Sequence, residues 1–239
     1  MVCAVIPTYN NQETILRVIQ DVKAYLRDVI VVNDGCTDHT PELLSSVPDI
    51  HVVSYSHNHG KGYALKQGFL EAHRLGFSHV VTLDADGQHR ATDIPLLLKT
   101  HAENLSALIV GSRNLTADNM PRSNTFANRF SNFWFYIQTL QYLPDTQTGY
   151  RLYPLASFTN LWWMTDKYEA ELELLVMAAW KGVQLISIPI QVYYPSASER
   201  VSHFRPFKDF ARISALNTVL CVMAVVYGYP RMLLKKLCR

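Results

Sequence analysis

The chain has 239 residues, 49% hydrophobic and 18% charged, with 22 basic against 20 acidic side chains. That length and apolar share support one large domain or two small ones with a real core, and exclude disorder, collagen-like repetition and a disulfide-stapled miniprotein. The net charge of +2 is unevenly spread: the stretch 199–239 holds eight basic side chains against Glu199 and Asp209, leaving a weakly acidic body and a basic tail.

Short apolar runs alternate with amphipathic ones along the first half. Residues 2–6, 29–32, 51–55, 79–83 and 107–110 read as buried strands, their near-continuous Val, Ile and Leu suiting a sheet covered on both faces. The first of these reads as a core strand rather than a leader, so no signal peptide is expected. Between them, 14–26 places Ile15, Val18, Ile19, Val22 and Leu26 on one helical face. A second helix is expected from Thr40, with its hydroxyl as cap and Pro41 at the first helical position. A third is expected over 63–75, ending at Gly76. This alternation predicts an α/β fold with a mainly parallel sheet. Residues 114–123 read as a polar loop, 126–141 as a helix loaded with aromatics, 169–181 as a helix ending at Gly182, and 183–192 as a strand. Residues 216–229 are apolar, read as too short to span a membrane, and are followed by Arg231, Lys235, Lys236 and Arg239. The organisation predicted is a domain over 1–195 with a basic amphipathic appendage over 196–239.

The cysteines (Cys3, Cys36, Cys221 and Cys238) show no C-x-x-C spacing, so no metal knuckle and a reducing compartment are expected. The basic tail points to an anionic surface such as a membrane, the alternative being a helix with a solvated basic end. Nucleic acid is not expected as a partner, because none of its recognition motifs is present.

The strongest local signal is Thr82-Leu83-Asp84-Ala85-Asp86-Gly87-Gln88. A buried strand runs into two carboxylates one residue apart, which in extended chain share a face. At the carboxyl end of a parallel strand they meet the crevice where α/β ligands bind. Mg²⁺ or Mn²⁺ favours a few carboxylates plus phosphate oxygens, although a bare D-x-D is more often a strand cap. Here two more strands end in polar groups, Pro7-Thr8-Tyr9-Asn10 through Glu13, and Asn33-Asp34-Gly35 with Asp38. His57, His59 and His89 do not form a metal triad by spacing and read as ordinary polar loop residues.

In this order, Pro7-Thr8-Tyr9-Asn10, Val32-Asn33-Asp34-Gly35, Asn58-His59-Gly60-Lys61-Gly62, Asp84-Ala85-Asp86-Gly87-Gln88, Gly111-Ser112-Arg113 and Asp145-Thr146-Gln147-Thr148-Gly149-Tyr150-Arg151 resemble the family 2 glycosyltransferases of GT-A fold. The likeness is closest to the dolichyl-phosphate mannose synthase-like, polyprenyl-phosphate glycosyltransferase branch, and spans about 2–195. The resemblance implies that Pro7, Tyr9, Asn10 and Glu13 line the base and ribose pocket, that Asp34 holds base or ribose, and that Lys61 approaches the nucleotide. It implies Asp84 and Gln88 near the sugar nucleotide and Asp86 as ligand of Mg²⁺ or Mn²⁺. Arg113 and Arg151 would serve the acceptor phosphate, since an arginine fork matches phosphate geometry. Asp145 would either take a proton from an acceptor hydroxyl or orient Arg151. A phosphate acceptor needs no such base, whereas an alcohol does.

The chain departs from that branch after Tyr194. His203 stands where many relatives carry lysine, no spanning pair follows, and Glu199-Arg200-Val201-Ser202-His203-Phe204-Arg205-Pro206 resembles a bacterial subgroup of lipid or aryl-polyene-like biosynthesis. The leading expectation is an inverting, metal-dependent enzyme. It would move a sugar from a UDP- or GDP-linked donor to a lipid acceptor, polyprenyl phosphate favoured, at the cytoplasmic face of the membrane. A hydroxyl-bearing lipid or aryl-polyene-like acceptor and a non-catalytic sugar-nucleotide-binding module are the alternatives.

Overall fold

The structure, a computed structural model, describes residues 1–114, 122–158, 163–193 and 206–237. Among these, the strands are β1 (Val2–Thr8), β2 (Val29–Asp34), β3 (His51–Tyr55), β4 (His79–Thr82), β5 (Leu108–Ser112), β6 (Arg151–Pro154) and β7 (Leu185–Pro189). They form one sheet in the order β3-β2-β1-β4-β6-β5-β7. β1 pairs in parallel with β2 and β4, β2 with β3, and β5 with β7, while β6 runs against β4 and β5. The mainly parallel α/β sheet expected from the sequence is therefore present.

The helices are α1 (Ile15–Lys23), α2 (Thr40–Ser45), α3 (Lys61–Arg74), α4 (Ile94–Glu103), α5 (Arg122–Thr139), α6 (Ala170–Trp180), α7 (Pro206–Met223) and α8 (Tyr229–Leu237). Period-2 alternation along the strands divides the core in two. Ala4, Ile6, Val29, Val31 and Val81 face α1 and α4, packing on Ile15, Val18, Ile19, Val22, Ile94 and Leu97. Cys3, Val5, Ile30, Val32 and Val80 face the other way, onto Leu65 and Phe69 of α3, Leu174 and Leu175 of α6, and Leu216 and Leu220 of α7.

Two expectations about local structure are corrected. Thr40 does not cap α2 with its hydroxyl: the cap position is His39, while the Thr40 hydroxyl accepts from the Asn11 N–H at 3.2 Å. The capping acceptor is Asp38, whose Oδ1 takes the Thr40 N–H at 3.0 Å. α4 and β6 were not expected as elements, and β6 is the strand that brings the 145–151 loop to the sheet.

The C-terminal expectation also changes. Residues 213–230 form an uncharged run between Arg212 and Arg231. In the fold, α7 and α8 join through a π turn at Ala224–Gly228. The resulting helix over Ala211–Lys235 is long and apolar enough to cross a membrane by length and composition, with 28% of its apolar window buried. It is not a loose appendage. Leu216, Leu220 and Ala224 enter the core, and Gln138 Nε2 donates to Asn217 Oδ1 at 2.9 Å. The Tyr229 hydroxyl donates to the Ile137 carbonyl, and Lys235 Nζ to the Lys181 carbonyl at 2.8 Å. Most of the polar loop over 114–123 and all of 194–205, with His203 and the subgroup-like segment, lie outside the described residues, as does the side chain of Arg122.

Candidate active site

The carboxyl ends of β1, β2 and β4 open on one edge of the sheet. β6, running the other way, begins there, so Arg151 pairs with Thr82 and Val110 at the same edge. The Thr82 hydroxyl donates to the Gly149 carbonyl at 2.7 Å, fastening the 145–151 loop against the exit of β4. The Thr14 hydroxyl, just ahead of α1, donates to the Ala85 carbonyl at 2.6 Å and fixes the Asp84-Ala85-Asp86 turn from the other side.

The loops after β1 and β2 are laced together. Asn10, in the left-handed region at φ 53°, accepts the Thr37 N–H on Oδ1 at 2.8 Å. Asp38 accepts the Gln12 N–H at 3.1 Å, and the Gln12 amide donates to exposed Glu13 at 3.2 Å. Pro7 is buried inside β1 in register with Val32, not exposed at the strand's exit. Tyr9 is half-buried at the mouth.

Asp34 is placed differently from its expected contact with base or ribose. It is 3% exposed, and its carboxylate accepts from Asn58 Nδ2 at 2.9 Å, His59 N at 2.8 Å and Gly60 N at 2.9 Å. It therefore builds the loop that delivers Lys61. Gly60 adopts φ +112°, and a Cβ there would lie 2.6 Å from the Asp166 carbonyl, so only glycine fits this approach.

Lys61 Nζ lies 2.5 Å from Asp84 Oδ1 and 2.9 Å from Glu171 Oε2. Burial alone would depress the ammonium, but the two carboxylates override it and raise its pKa above the ordinary lysine value. Burial likewise works against the Asp84 carboxylate, and the Lys61 charge wins, holding it below the usual range. Among the described residues, Asp86 has no cationic partner of this kind. Gln88 supplies its backbone N–H at 2.9 Å and side-chain amide at 2.8 Å, one to each oxygen. Burial and the neighbouring Asp84 charge push Asp86 up to about 6. His89, half-buried as a residue but with only 7% of its side chain exposed, belongs to the site, contrary to its reading as an ordinary polar loop residue. Its ring packs on Tyr150 at 5.2 Å, and burial pulls it down to about 4, so it is neutral near pH 7.

Asp145 pairs with Arg113 and not with Arg151. Arg113 donates through Nε to Oδ2 at 2.7 Å, through Nη2 to Oδ1 at 3.0 Å and through its backbone N–H at 3.2 Å. Asn128 Nδ2 at 2.5 Å and the Gln147 N–H at 3.0 Å complete the shell. The carboxylate is fully buried, and these donors, led by Arg113, outweigh burial and lower its pKa. A proton acceptor needs an accessible lone pair, and here the carboxylate oxygens are spent on these donors, so the arrangement gives Asp145 an orienting role, toward Arg113.

The catalytic role expected for Arg151 fails. It is fully buried, donating to the carbonyls of Thr148 at 2.8 Å, Glu171 at 2.7 Å and Thr146 at 3.0 Å, and to the Tyr153 hydroxyl at 3.1 Å. Four of the five N–H bonds of a guanidinium are spent inside the protein, making Arg151 a brace for the loop.

Sequence reading missed Thr14, Asn128, Gly149 and Glu171 as site residues. The available signal for Glu171 was an acid within the apolar run of α6, a helix buried on nearly every side. A buried acid demands a partner, and the partner is Lys61. Among the described residues, no three His, Cys, Asp or Glu converge as a metal-ligating group. Mg²⁺ held through substrate phosphates needs only one or two protein carboxylates, and Asp86, held near the like charge of Asp84 without its own cation, fits that use.

Residues 3–159 match the protein-family model described as glycosyl transferase family 2. Over 211 residues the chain is 32% identical to glycosyltransferase AglJ of Haloferax volcanii, covering 87% of this chain and 68% of that one. Over 241 residues it is 25% identical to the UDP-N-acetylglucosamine–dolichyl-phosphate N-acetylglucosaminyltransferase of Methanococcus voltae, covering 91% and 96%. Among solved structures, mannosyl-3-phosphoglycerate synthase from Rubrobacter xylanophilus superimposes with a TM-score of 0.63 at 19% identity, over 99% of this chain and 74% of that one. That likeness is one of architecture, and the architecture is the GT-A fold.

Proposed function

The chain belongs to glycosyl transferase family 2, and from that premise we propose that it moves a sugar from a nucleoside-diphosphate donor to polyprenyl phosphate, with inversion, at the cytoplasmic face of a membrane. The observation that carries the acceptor is the state of Asp145. Locked under Arg113, Asn128 and Gln147, it is no base for an alcohol. A phosphate oxygen is already ionised and attacks without one. The dolichyl-phosphate acceptor named for the Methanococcus voltae relative supports the same reading, and its UDP-linked donor favours UDP over GDP.

In this reading the loops after β1 and β2 hold base and ribose, with Tyr9, Asn10 and Glu13 at the mouth. Asp84 and Asp86 face the sugar and diphosphate. A divalent cation, Mg²⁺ or Mn²⁺, would be held by Asp86, steadied by Gln88, and when bound would neutralise the leaving diphosphate. Arg113, set in one orientation by Asp145, bears the positive charge that the acceptor phosphate meets.

The acceptor is water-insoluble, and the C-terminal helix supplies a surface for it. Val219, Val222, Val226, Leu233 and Leu237 form an exposed stripe along α7 and α8, beside exposed Phe133, Tyr136 and Leu140 of α5 and its end. Exposed Arg212 and Arg231 on the same helix add positive charge beside it. The opposite face is tied to the body from Leu216 to Lys235, and crossing a bilayer would break all of those contacts. The helix therefore lies along an anionic membrane surface, as amphipathic interfacial helices do.

The test is nucleotide release from a panel of UDP- and GDP-sugars, with and without Mn²⁺ or Mg²⁺, in the presence of a short polyprenyl phosphate. Release that requires both the lipid phosphate and a divalent cation is expected. Release with neither would contradict the reading.

A further inference from the structure

Lys61 is held by two carboxylates, and the second is the informative one. Glu171 stands in the first turn of α6 and is 5% exposed. Its Oε2 meets Lys61 Nζ at 2.9 Å, while Oε1 is buried with no hydrogen-bond partner among the described residues. Its carbonyl accepts from Arg151, which braces the Thr146 and Thr148 carbonyls. Gly149 closes the cluster from the opposite side. A Cβ there would lie 2.6 Å from Lys61 Nζ, 2.9 Å from Glu171 Oε1 and 3.1 Å from Asp84 Oδ1.

A lysine paired with one carboxylate can exchange it for an arriving phosphate. Paired with two, it would on leaving strand Glu171, whose side chain is 7% exposed, while Asp84 keeps 29% of its side chain in solvent. An uncompensated buried charge is strongly unfavourable. We infer that Glu171 is a positioning residue that locks Lys61 onto Asp84, making Lys61 the fixed counter-ion of that aspartate and not a ligand of the donor diphosphate. The inference rests on the donor reading given above for this cleft. It leaves Asp86 as the acid for the diphosphate side and links the 145–151 loop to the exit of β4 through one residue, Glu171, whose carbonyl meets Arg151 and whose carboxylate meets Lys61.

The test uses the full chain with Lys61→Met, Glu171→Ala, Glu171→Gln and the Lys61→Met/Glu171→Ala double variant, each checked for folding by circular dichroism. Calorimetry with UDP and GDP reads nucleotide affinity, and steady-state transfer reads kcat and KM. Lys61→Met is expected to lower kcat about 100-fold while nucleotide affinity stays within about threefold. Glu171→Ala is expected to lower kcat about tenfold with Lys61 present and less than about twofold in the Lys61→Met background, since a residue acting through another is non-additive with it. Glu171→Gln, which keeps an acceptor oxygen, should recover part of the loss. A tenfold or greater fall in nucleotide affinity in Lys61→Met, or additive losses in the double variant, would overturn the assignment. If the wild type transfers no sugar, the donor reading fails separately. The lock is then decided by acetic anhydride labelling, with Lys61 protected in the wild type and exposed in Glu171→Ala; equal labelling in both would overturn it.

Discussion

Asp145 grips Arg113 in a two-pronged pair, 2.7 Å from Nε to Oδ2 and 3.0 Å from Nη2 to Oδ1, with the carboxylate wholly out of solvent. The pair joins the exit of β5 to the loop ahead of β6, and it decides what each residue can do. Asp145 orients the cation and gives up proton transfer, while the cation gains a fixed direction.

Asp145→Asn leaves the Arg113 charge without its counter-ion at a site where the arginine side chain is only 17% exposed. Breaking a buried pair from one side costs about 3 kcal/mol, measurable as a shift in the urea midpoint at pH 7. The pH dependence has a definite sign. The folded pKa of Asp145 lies below its unfolded value of about 3.9, so the stabilisation is present above that value and lost as pH falls through the folded one. Acid titration of stability should show this loss in the wild type and lack that component in Asp145→Asn. Identical acid profiles would contradict the pairing.

Arg151→Met should damage the fold and not the chemistry. It removes four hydrogen bonds inside the protein, to the Thr146, Thr148 and Glu171 carbonyls and the Tyr153 hydroxyl, a loss of several kcal/mol at about 1–3 each. Thermal unfolding should drop markedly, and whatever protein remains folded should keep the wild-type KM for the lipid phosphate. A raised acceptor KM with normal stability would return Arg151 to the acceptor site.

Asp86→Ala should stay folded, because the wild-type carboxylate is held against the charge of Asp84 and its removal relieves that repulsion. Divalent-dependent transfer should fall by about 100-fold or more with the loss of the cation's protein ligand. A normal Mn²⁺ titration in this variant would place the cation elsewhere.

Val222→Glu and Val226→Glu fall on side chains 63% and 75% exposed, so neither should shift thermal stability by more than about 0.5 kcal/mol. Together they should release the protein from anionic liposomes in a sedimentation assay. These variants test the membrane face more cleanly than deletion of 216–239, which would also strip Leu216, Leu220 and Ala224 from the core. Unchanged sedimentation would mean that the stripe does not bind lipid.

The parallel half of the sheet was legible because most of its strands are runs of Val, Ile and Leu with a polar exit. β3, with His51, Val52 and Ser54 exposed, is the open sheet edge and not the buried strand expected. His51–Tyr55 was read with the bounds it has, and β1 and β2 were read short by two residues each. β6 escaped because Arg151-Leu152-Tyr153-Pro154 carries a charge and is only four residues long; its burial comes from neighbours remote in sequence. The acids at the strand ends were legible for the same reason as the strands. Their partners were not. Nothing in local spacing says that Asp145 turns to Arg113 rather than Arg151, or that Lys61 meets Glu171, since those pairings are made by strand order. The C-terminal helix was read by its apolar content, and its docking through Asn217, Gly228 and Tyr229 became visible only in the packing.

The central claim is that the acceptor is a lipid phosphate, and mass spectrometry of products from a mixture of equal amounts of polyprenyl phosphate and the matching polyprenol tests it most directly. With the preferred nucleotide sugar and Mn²⁺, the account predicts a single new lipid, the glycosyl phosphate with inverted anomeric configuration, and untouched polyprenol. Sugar attached to the polyprenol hydroxyl, with the lipid phosphate unused, would contradict it.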